Sequence, residues 1–384
     1  MNILIFTSSD YPYKGAAENF VRLMSMGLFN TKEINVEIVR FFGDRFNNTN
    51  DTPLVCKNYL FSRPFNNNLF KLLEFFCQLF FVPFFLIYRK IFCNDNCIIF
   101  YGIDRAPLLI TFLLISKLFR IKCVRIITEI YPNSVTLKNW WRFPNIIFEK
   151  IQLKFVDKYF DGIIVLSDFL YKLSIDYGVN SNKLIVIPHF IELINSNSVN
   201  NKAIKKFTIG YCGSISLDNG IDDLLKSFYY ISNFYPDTFN LLIIGSFPRH
   251  LKYLEPNNPN IRVTGYLEKN QVFSALNSCS ILINPRRYSI LSESGFPTKL
   301  GEYFTTGIPV ITTSVGVINS LFKDESCVFK VEADSPWLLS QKIIDVFNNY
   351  EFAKQVGFNG YKWAENNLDY NLNARKLLNF LKIF

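Results

Sequence analysis

Histidine is scarce in this chain, with only His189 and His250 among 384 residues. Two isolated imidazoles cannot build a metal cluster, and no two aspartates are separated by a single residue, so an Asp-x-Asp metal pair is missing as well. There is no G-x-S-x-G nucleophile elbow and no P-loop. Gly210, Gly213 and Gly220 lack the G-x-G-x-x-G spacing, which excludes a dinucleotide fingerprint. The eight cysteines are scattered, and only Cys93 and Cys97 lie close together. They read as buried reduced thiols of a cytosolic protein, not as a disulfide framework or zinc site. The most apolar segment, Phe75–Tyr88, has 14 residues and is interrupted by Pro83, short of the roughly 20 needed to span a bilayer. The chain runs from Met1-Asn2 straight into a strand pattern, so no signal peptide is expected.

What is abundant is apolar and aromatic: 49% of residues are hydrophobic, and 40 are phenylalanine. Disorder is excluded, and the length suits two domains with separate cores. The net charge of +9 suggests an anionic partner, whether nucleotide phosphate, nucleic acid or acidic membrane. Because the excess is spread along the chain without an arginine-rich tail, nucleic acid is the weaker reading.

The stretch 281–316 organises the rest. A buried strand over Cys279–Ile283 ends at Asn284-Pro285, and a polar loop carries Arg286, Arg287 and Glu293. Pro297 opens a helix, Thr298–Thr305, with Lys299 in its first turn and Glu302 one turn on. A second buried strand starts at Ile308. A helix N-terminus facing two arginines is an anion site suited to phosphate, and Glu302 can accept ribose hydroxyls. The bland alternative is an ordinary strand–loop–helix crossover.

Elsewhere Asn2–Thr7 reads as a strand, leading through a loop with Gly15 and Ala16 into a helix. That loop is either a phosphate-binding turn or simply a tight βα connection. Thr128-Glu129 ends the strand Lys122–Thr128, at the edge where doubly wound sheets place ligands; Glu129 is either an acceptor-side base or a capping carboxylate. Asp168 is expected to cap a helix. His189 reads as a packing residue, and residues 192–205 as a linker. Phe75–Tyr88 is either a buried core helix or an interfacial one, since Lys71, Arg89 and Lys90 flank it.

The run Gly295-Phe296-Pro297-Thr298-Lys299-Leu300-Gly301-Glu302-Tyr303, followed by Gly307-Ile308-Pro309-Val310, resembles the donor-site signature of glycosyltransferase family 4. The resemblance implies an α/β architecture of the GT-B type, with two Rossmann-like doubly wound domains facing across a cleft. Residues 1–190 would form the acceptor-side domain, 191–205 a linker and 206–368 the nucleotide-sugar domain, with the helix 369–384 returning to the first. It implies that Glu302 holds the ribose and that Glu293 contacts the donor sugar. Eight residues separate the two glutamates here where the family has seven, so Ser294 occupies the family register. Gly213 and Ser214 match the first loop of the family's second domain. Ser216 and Asn219 stand where the family has Arg and Lys, so Lys299 with Arg286 or Arg287 would supply the phosphate charge. The backbone at Tyr266 and Leu267 would hold the base. Catalytic candidates are therefore Glu129, Glu293 and Lys299, with no metal and no cofactor beyond a UDP- or GDP-linked donor sugar as substrate.

The activity implied is retaining, metal-independent transfer to a glycan or polyprenyl-linked acceptor in surface polysaccharide assembly. It would occur in the cytoplasm, on the inner face of the membrane, with an anionic lipid contact through 75–88 and no nucleic acid. Two other readings stand beside it: a nucleotide-sugar 2-epimerase of the same fold, and an inactive sugar-nucleotide-binding subunit.

Overall fold

Short apolar runs alternating with amphipathic stretches become parallel strands buried on both faces, with helices as the crossovers. The computed structural model describes residues 1–7, 15–40, 55–58, 81–102, 106–130, 149–193 and 206–383. Contacts divide the chain into two units, Met1–Phe190 together with Tyr370–Phe384, and Ile191–Asp369. The chain thus passes twice between them.

The first unit contains β1 (Asn2–Thr7), β2 (Asn35–Arg40), β3 (Val55–Asn58), β4 (Cys97–Tyr101), β5 (Lys122–Ile127), β6 (Gly162–Val165) and β7 (Leu184–Val186). They form one parallel sheet in the order β3-β2-β1-β4-β5-β6-β7. The direction of winding reverses between β1 and β4. Strand β3 was not foreseen from the sequence. The terminal helix, Tyr370–Leu381, packs on the helix Ala16–Asn30. Gly27 lets them touch: a Cβ there would lie 2.5 Å from the Tyr370 carbonyl oxygen and 2.6 Å from Ala374 Cβ. Asn30 Nδ2 donates to Asn371 Oδ1 at 2.9 Å across the same contact.

The second unit contains β8 (Phe207–Cys212), β9 (Phe239–Ile244), β10 (Ile261–Val263), β11 (Ile281–Asn284), β12 (Val310–Thr313) and β13 (Phe329–Val331). This parallel sheet runs β10-β9-β8-β11-β12-β13, so its winding reverses between β8 and β11.

Several expectations need correction. β11 begins at Ile281, not Cys279, because the Cys279 N–H still closes the turn after the helix Lys269–Leu276, donating to the Leu276 carbonyl at 2.9 Å. The loop after β11 contains a short helix, Ile290–Ser294, capped by the Ser289 hydroxyl. The helix expected over Thr298–Thr305 ends at Phe304, with Pro297 as its cap residue. Ser167, not Asp168, caps the helix Asp168–Asp176, its Oγ accepting from the Leu170 N–H at 3.2 Å. The start of the expected linker belongs to the second unit. Ile191 bridges Asp369, and Glu192 pairs with Lys269 at 2.6 Å. Residues 194–205 lie outside the described residues.

Of the apolar segment Phe75–Tyr88, residues 75–80 lie outside the described residues, and 81–88 are helical. Val82, Phe85 and Leu86 enter the core, while Phe81, Phe84, Ile87 and Tyr88 face outward. The described part is thus not a fully buried core helix: one face is core and the other is surface. Arg89 anchors this helix. It is 2% exposed and pairs with Asp95 and Glu37, each at 2.6 Å.

Removing one partner of a buried pair strands the other charge, so Arg89→Ala should cost about 3–5 kcal/mol of unfolding free energy. Urea denaturation measures this; a loss below about 1 kcal/mol would place the cluster among ordinary surface pairs.

Candidate active site

Open α/β sheets bind ligands where the winding reverses, because the two flanking loops diverge there and leave a crevice at the C-terminal strand ends. In the second unit that point lies between β8 and β11. The loops at this point are tied together: the Arg287 N–H donates to the Asp218 carbonyl at 3.0 Å. Gly220 lies so near Pro285 that a Cβ would meet its carbonyl oxygen at 1.8 Å.

Gly213 follows β8 with φ +130°, a conformation that side chains rarely adopt. A Cβ on it would lie 3.4 Å from Lys299 Cε, so the turn rests on the lysine. Gly245, after β9, comes closer still to the Gly213 carbonyl: a Cβ there would be 2.6 Å from that oxygen. Gly265 follows β10 and bridges Gly245. The C-terminal edge is therefore bare backbone along three neighbouring strands, an opening into which an extended ligand can lie close. Tyr266 is exposed and Leu267 half-buried just beyond it.

Lys299 is the cation at this edge. Its Nζ donates to Tyr211 Oη at 3.2 Å and lies 4.5 Å from the centre of the same ring. Tyr211 is fully buried, and its own proton goes to the Ser214 carbonyl at 2.7 Å, so it can only accept from the lysine. Burial, helped by the nearby Arg286 charge, lowers the Lys299 ammonium to about 7. Cys212 and Glu302 act the other way but do not restore it. No ion pair joins Lys299 to a carboxylate among the described residues. Glu302 sits half-buried one helical turn on, its carboxyl raised above the usual range by desolvation against the pull of Lys269 and Lys299. Cys212 lies between these groups, pushed up to about 12 by burial, and is an inert thiol.

The helix that carries both residues is pinned by Tyr303. Its hydroxyl accepts from the Cys212 N–H at 2.8 Å and donates to the Cys212 carbonyl at 3.2 Å. Thr298 opens that helix, half-buried. Sequence reasoning assigned no role to Tyr211 or Tyr303. Both sit in apolar patterns that read only as core, and only the fold shows that their hydroxyls meet the site.

Arg287, expected beside Arg286 as a source of phosphate charge, is engaged by acids: its guanidinium pairs with Asp222 at 2.6 Å, with Asp223 at 3.2 Å and with Asp334 at 3.2 Å. Arg286 Nη2 donates to the Leu291 carbonyl at 3.2 Å, and its charge is felt at Lys299. Ser216 and Asn219 close on each other: Asn219 Nδ2 donates to Ser216 Oγ at 2.9 Å and to the Ser214 carbonyl at 3.0 Å. Glu293 Oε1 accepts the Gly316 N–H at 2.9 Å and so braces the turn after β12.

In the first unit, Gly15 precedes the helix Ala16–Asn30 in an extended conformation with the Glu18 carboxylate folded against it. The loop 8–14 lies outside the described residues. Glu129 is half-buried just beyond β5. His189 is buried edge-on against Phe20, and burial lowers it to about 4, the state of a neutral packing group.

Residues 206–349 match the family model described as Glycosyl transferases group 1. The chain is similar to an uncharacterized glycosyltransferase, MJ1178, of Methanocaldococcus jannaschii, 26% identical over 225 residues, or 53% of this chain and 61% of that protein. It is also similar to the capsular polysaccharide biosynthesis glycosyltransferase CapM of Staphylococcus aureus, 28% identical over 264 residues, or 63% and 66%. The matches thus span less than two thirds of the length of these curated relatives. Among solved structures, sucrose-phosphate synthase from Thermosynechococcus elongatus superposes with TM-score 0.73 at 14% identity, covering 99% of this chain and 98% of that one. Anabaena HepE, solved in complex with UDP-glucose, gives 0.69 at 14% identity with full coverage of both chains. At such identities the likeness is one of fold. The chain has the GT-B fold, and its residues 206–349 are similar to the group 1 glycosyltransferases.

Proposed function

We propose that this protein moves a sugar from a UDP- or GDP-linked donor to a glycan or polyprenyl-linked glycan, with retention of configuration and without a metal. Within group 1 it reads as a family 4 enzyme of surface polysaccharide assembly, working on the inner face of the cytoplasmic membrane. The observation that carries this is Lys299: a desolvated ammonium with no carboxylate partner among the described residues, beside bare glycine backbone at the switch point. Such a group suits an incoming diphosphate. The HepE structures hold UDP or UDP-glucose, and CapM is named for capsular polysaccharide, which supports the donor and product classes.

In this reading the diphosphate lies over Gly213 beside Lys299 and Arg286, and Glu302 accepts the ribose hydroxyls. Tyr266 and Leu267 line the place of the base. The bond from the sugar's anomeric carbon to the phosphate oxygen breaks with its electrons going to that oxygen, where Lys299 and Arg286 stabilise the charge. The acceptor hydroxyl bonds to the anomeric carbon on the same face and loses its proton to the departing phosphate or to Glu129. Glu293, with one oxygen committed to Gly316, positions the loop beside the sugar.

A second reading, donor binding without turnover, is favoured by the loss of Arg287 to three carboxylates. Thermal-shift titration with UDP- and GDP-sugars, followed by nucleotide release with and without glycan acceptor, separates the two. Acceptor-dependent release supports transfer. Binding without release supports the second reading, and a 2-epimerised sugar would overturn both.

Glu302→Ala should weaken donor binding by about 1.5–3 kcal/mol, the worth of hydrogen bonds to a charged group, while leaving the melting temperature in place. Unchanged affinity by calorimetry would sink the ribose assignment.

The Lys299 ammonium also sets a pH dependence. Its folded pKa of about 7 lies below its unfolded value, so the cost of holding this half-buried side chain charged is full below pH 7 and disappears as pH rises from there. Donor binding has the opposite need, since the diphosphate wants the ammonium. Affinity should be level below pH 7 and fall by up to about tenfold per unit above it, and Lys299→Arg should flatten the fall. Tyr211→Phe keeps the ring but removes the acceptor for Nζ, so the fall should begin at lower pH. Calorimetric titration of a UDP-sugar from pH 6 to 9 reads all three; identical wild-type and Lys299→Arg profiles would refute the role.

A further inference from the structure

The helical layer over one face of the first sheet is finished outward with apolar side chains and lysines. The stretches 81–93, Ala106–Leu118 and 149–159 lead into β4, β5 and β6, three neighbouring strands, and Leu86, Phe112 and Val156 from them enter the same core cluster. They therefore lie side by side. The Lys117 ammonium, 5.2 Å from the centre of the Tyr159 ring, joins the second to the third. Outward, Ile91 and Phe92 are 66% and 72% exposed, Leu114 and Leu118 67% and 76%, and Phe155 and Tyr159 54% and 52%. Scattered exposed apolar residues need no explanation, but a set gathered on adjacent crossovers marks a binding face.

Among the described residues, the exposed charge on this face has one sign. Lys117, Lys150, Lys154 and Lys158 are exposed among the apolar residues. The acidic groups of the same layer are withdrawn. Asp157 is buried on Arg125 at 2.5 Å, Asp95 is buried on Arg89, and Glu149 is half-buried.

We propose that this face docks on an anionic lipid surface. A bilayer interface accepts aromatic and aliphatic side chains without a complementary shape, and its headgroup phosphates pair with interspersed lysines. A second copy of the chain fits less well. A two-fold contact sets a patch against itself and would bring these lysines together. The inference rests on the peripheral-membrane part of the function proposed above and extends the contact from residues 75–88 to three adjacent crossovers.

The test is co-sedimentation of the full chain with phosphatidylcholine vesicles, with and without phosphatidylglycerol, at low and high salt. Two paired variants are compared, Phe92→Ser with Leu118→Ser, and Lys154→Glu with Lys158→Glu. All four side chains are exposed and belong to the first unit, while the β8–β11 edge belongs to the second, so melting temperature and UDP-sugar affinity should match wild type and certify the fold. Wild type should pellet with the anionic vesicles only and be released by salt, which screens headgroup attraction beyond about 10 Å. Each pair should lower the partition by about tenfold or more. If both pairs bind like wild type, attachment stands and this face is wrong; if wild type never pellets, both fall. Dimerisation in solution that the Phe92 and Leu118 pair abolishes would overturn the inference in favour of a second copy.

Discussion

An ammonium group held against a tyrosine ring, with no carboxylate to neutralise it among the described residues, is the constraint on which the second unit's site depends. Taking a cation out of water is costly unless it is paired. At Lys299 the cost is met only in part, by one hydroxyl and one ring face, and the ammonium moves toward the neutral form. Everything around it keeps that state in place. Tyr211 cannot turn away, because its proton is engaged by Ser214. The helix cannot shift, because Tyr303 grips the peptide of Cys212 from both sides. An anion arriving over Gly213 would meet a cation whose environment has been prepared for it, which is what electrostatic preorganisation requires.

Much of the fold was legible because parallel strands buried on both faces leave an unmistakable trace. Asn2–Thr7, Cys97–Tyr101 and Phe239–Ile244 are apolar runs bounded by turn residues, and each became a strand over those same residues. What escaped were elements whose signal is tertiary. The tetrapeptide Val55–Asn58 is a strand because β2 offers it an edge, not because its composition demands one. Ile290–Ser294 is too short for a periodicity to show, and reveals itself only through the Ser289 cap.

The site divides in the same way. The placing of Lys299 and Glu302 one turn apart was legible, because helical spacing alone puts them on one side, and both lie on the helix Thr298–Phe304. The fate of Arg287 was not, since its partners Asp222, Asp223 and Asp334 come from distant parts of the sequence and meet it only after folding. Two adjacent arginines look equivalent on paper. Their neighbours decide that one braces the loop while the other lends its field to Lys299.

The cations held by the fold therefore take two forms in this molecule. In the first unit Arg125 sits against Asp157, and the Gln152 amide oxygen accepts from its Nε at 2.6 Å in the orientation that pairs both groups; Arg89 is enclosed in the same way by Asp95 and Glu37. These guanidiniums are matched by acids within hydrogen-bonding distance, and their role is to fasten crossovers to the sheet. Lys299 has no such match among the described residues. A fully matched charge gains little from a further anion, since its donors are already engaged. An unmatched one at a strand end gains a great deal. Charge pairing, more than burial itself, separates the cations that fasten the first sheet from Lys299, whose ammonium is left to one hydroxyl and one ring face at the β8–β11 edge.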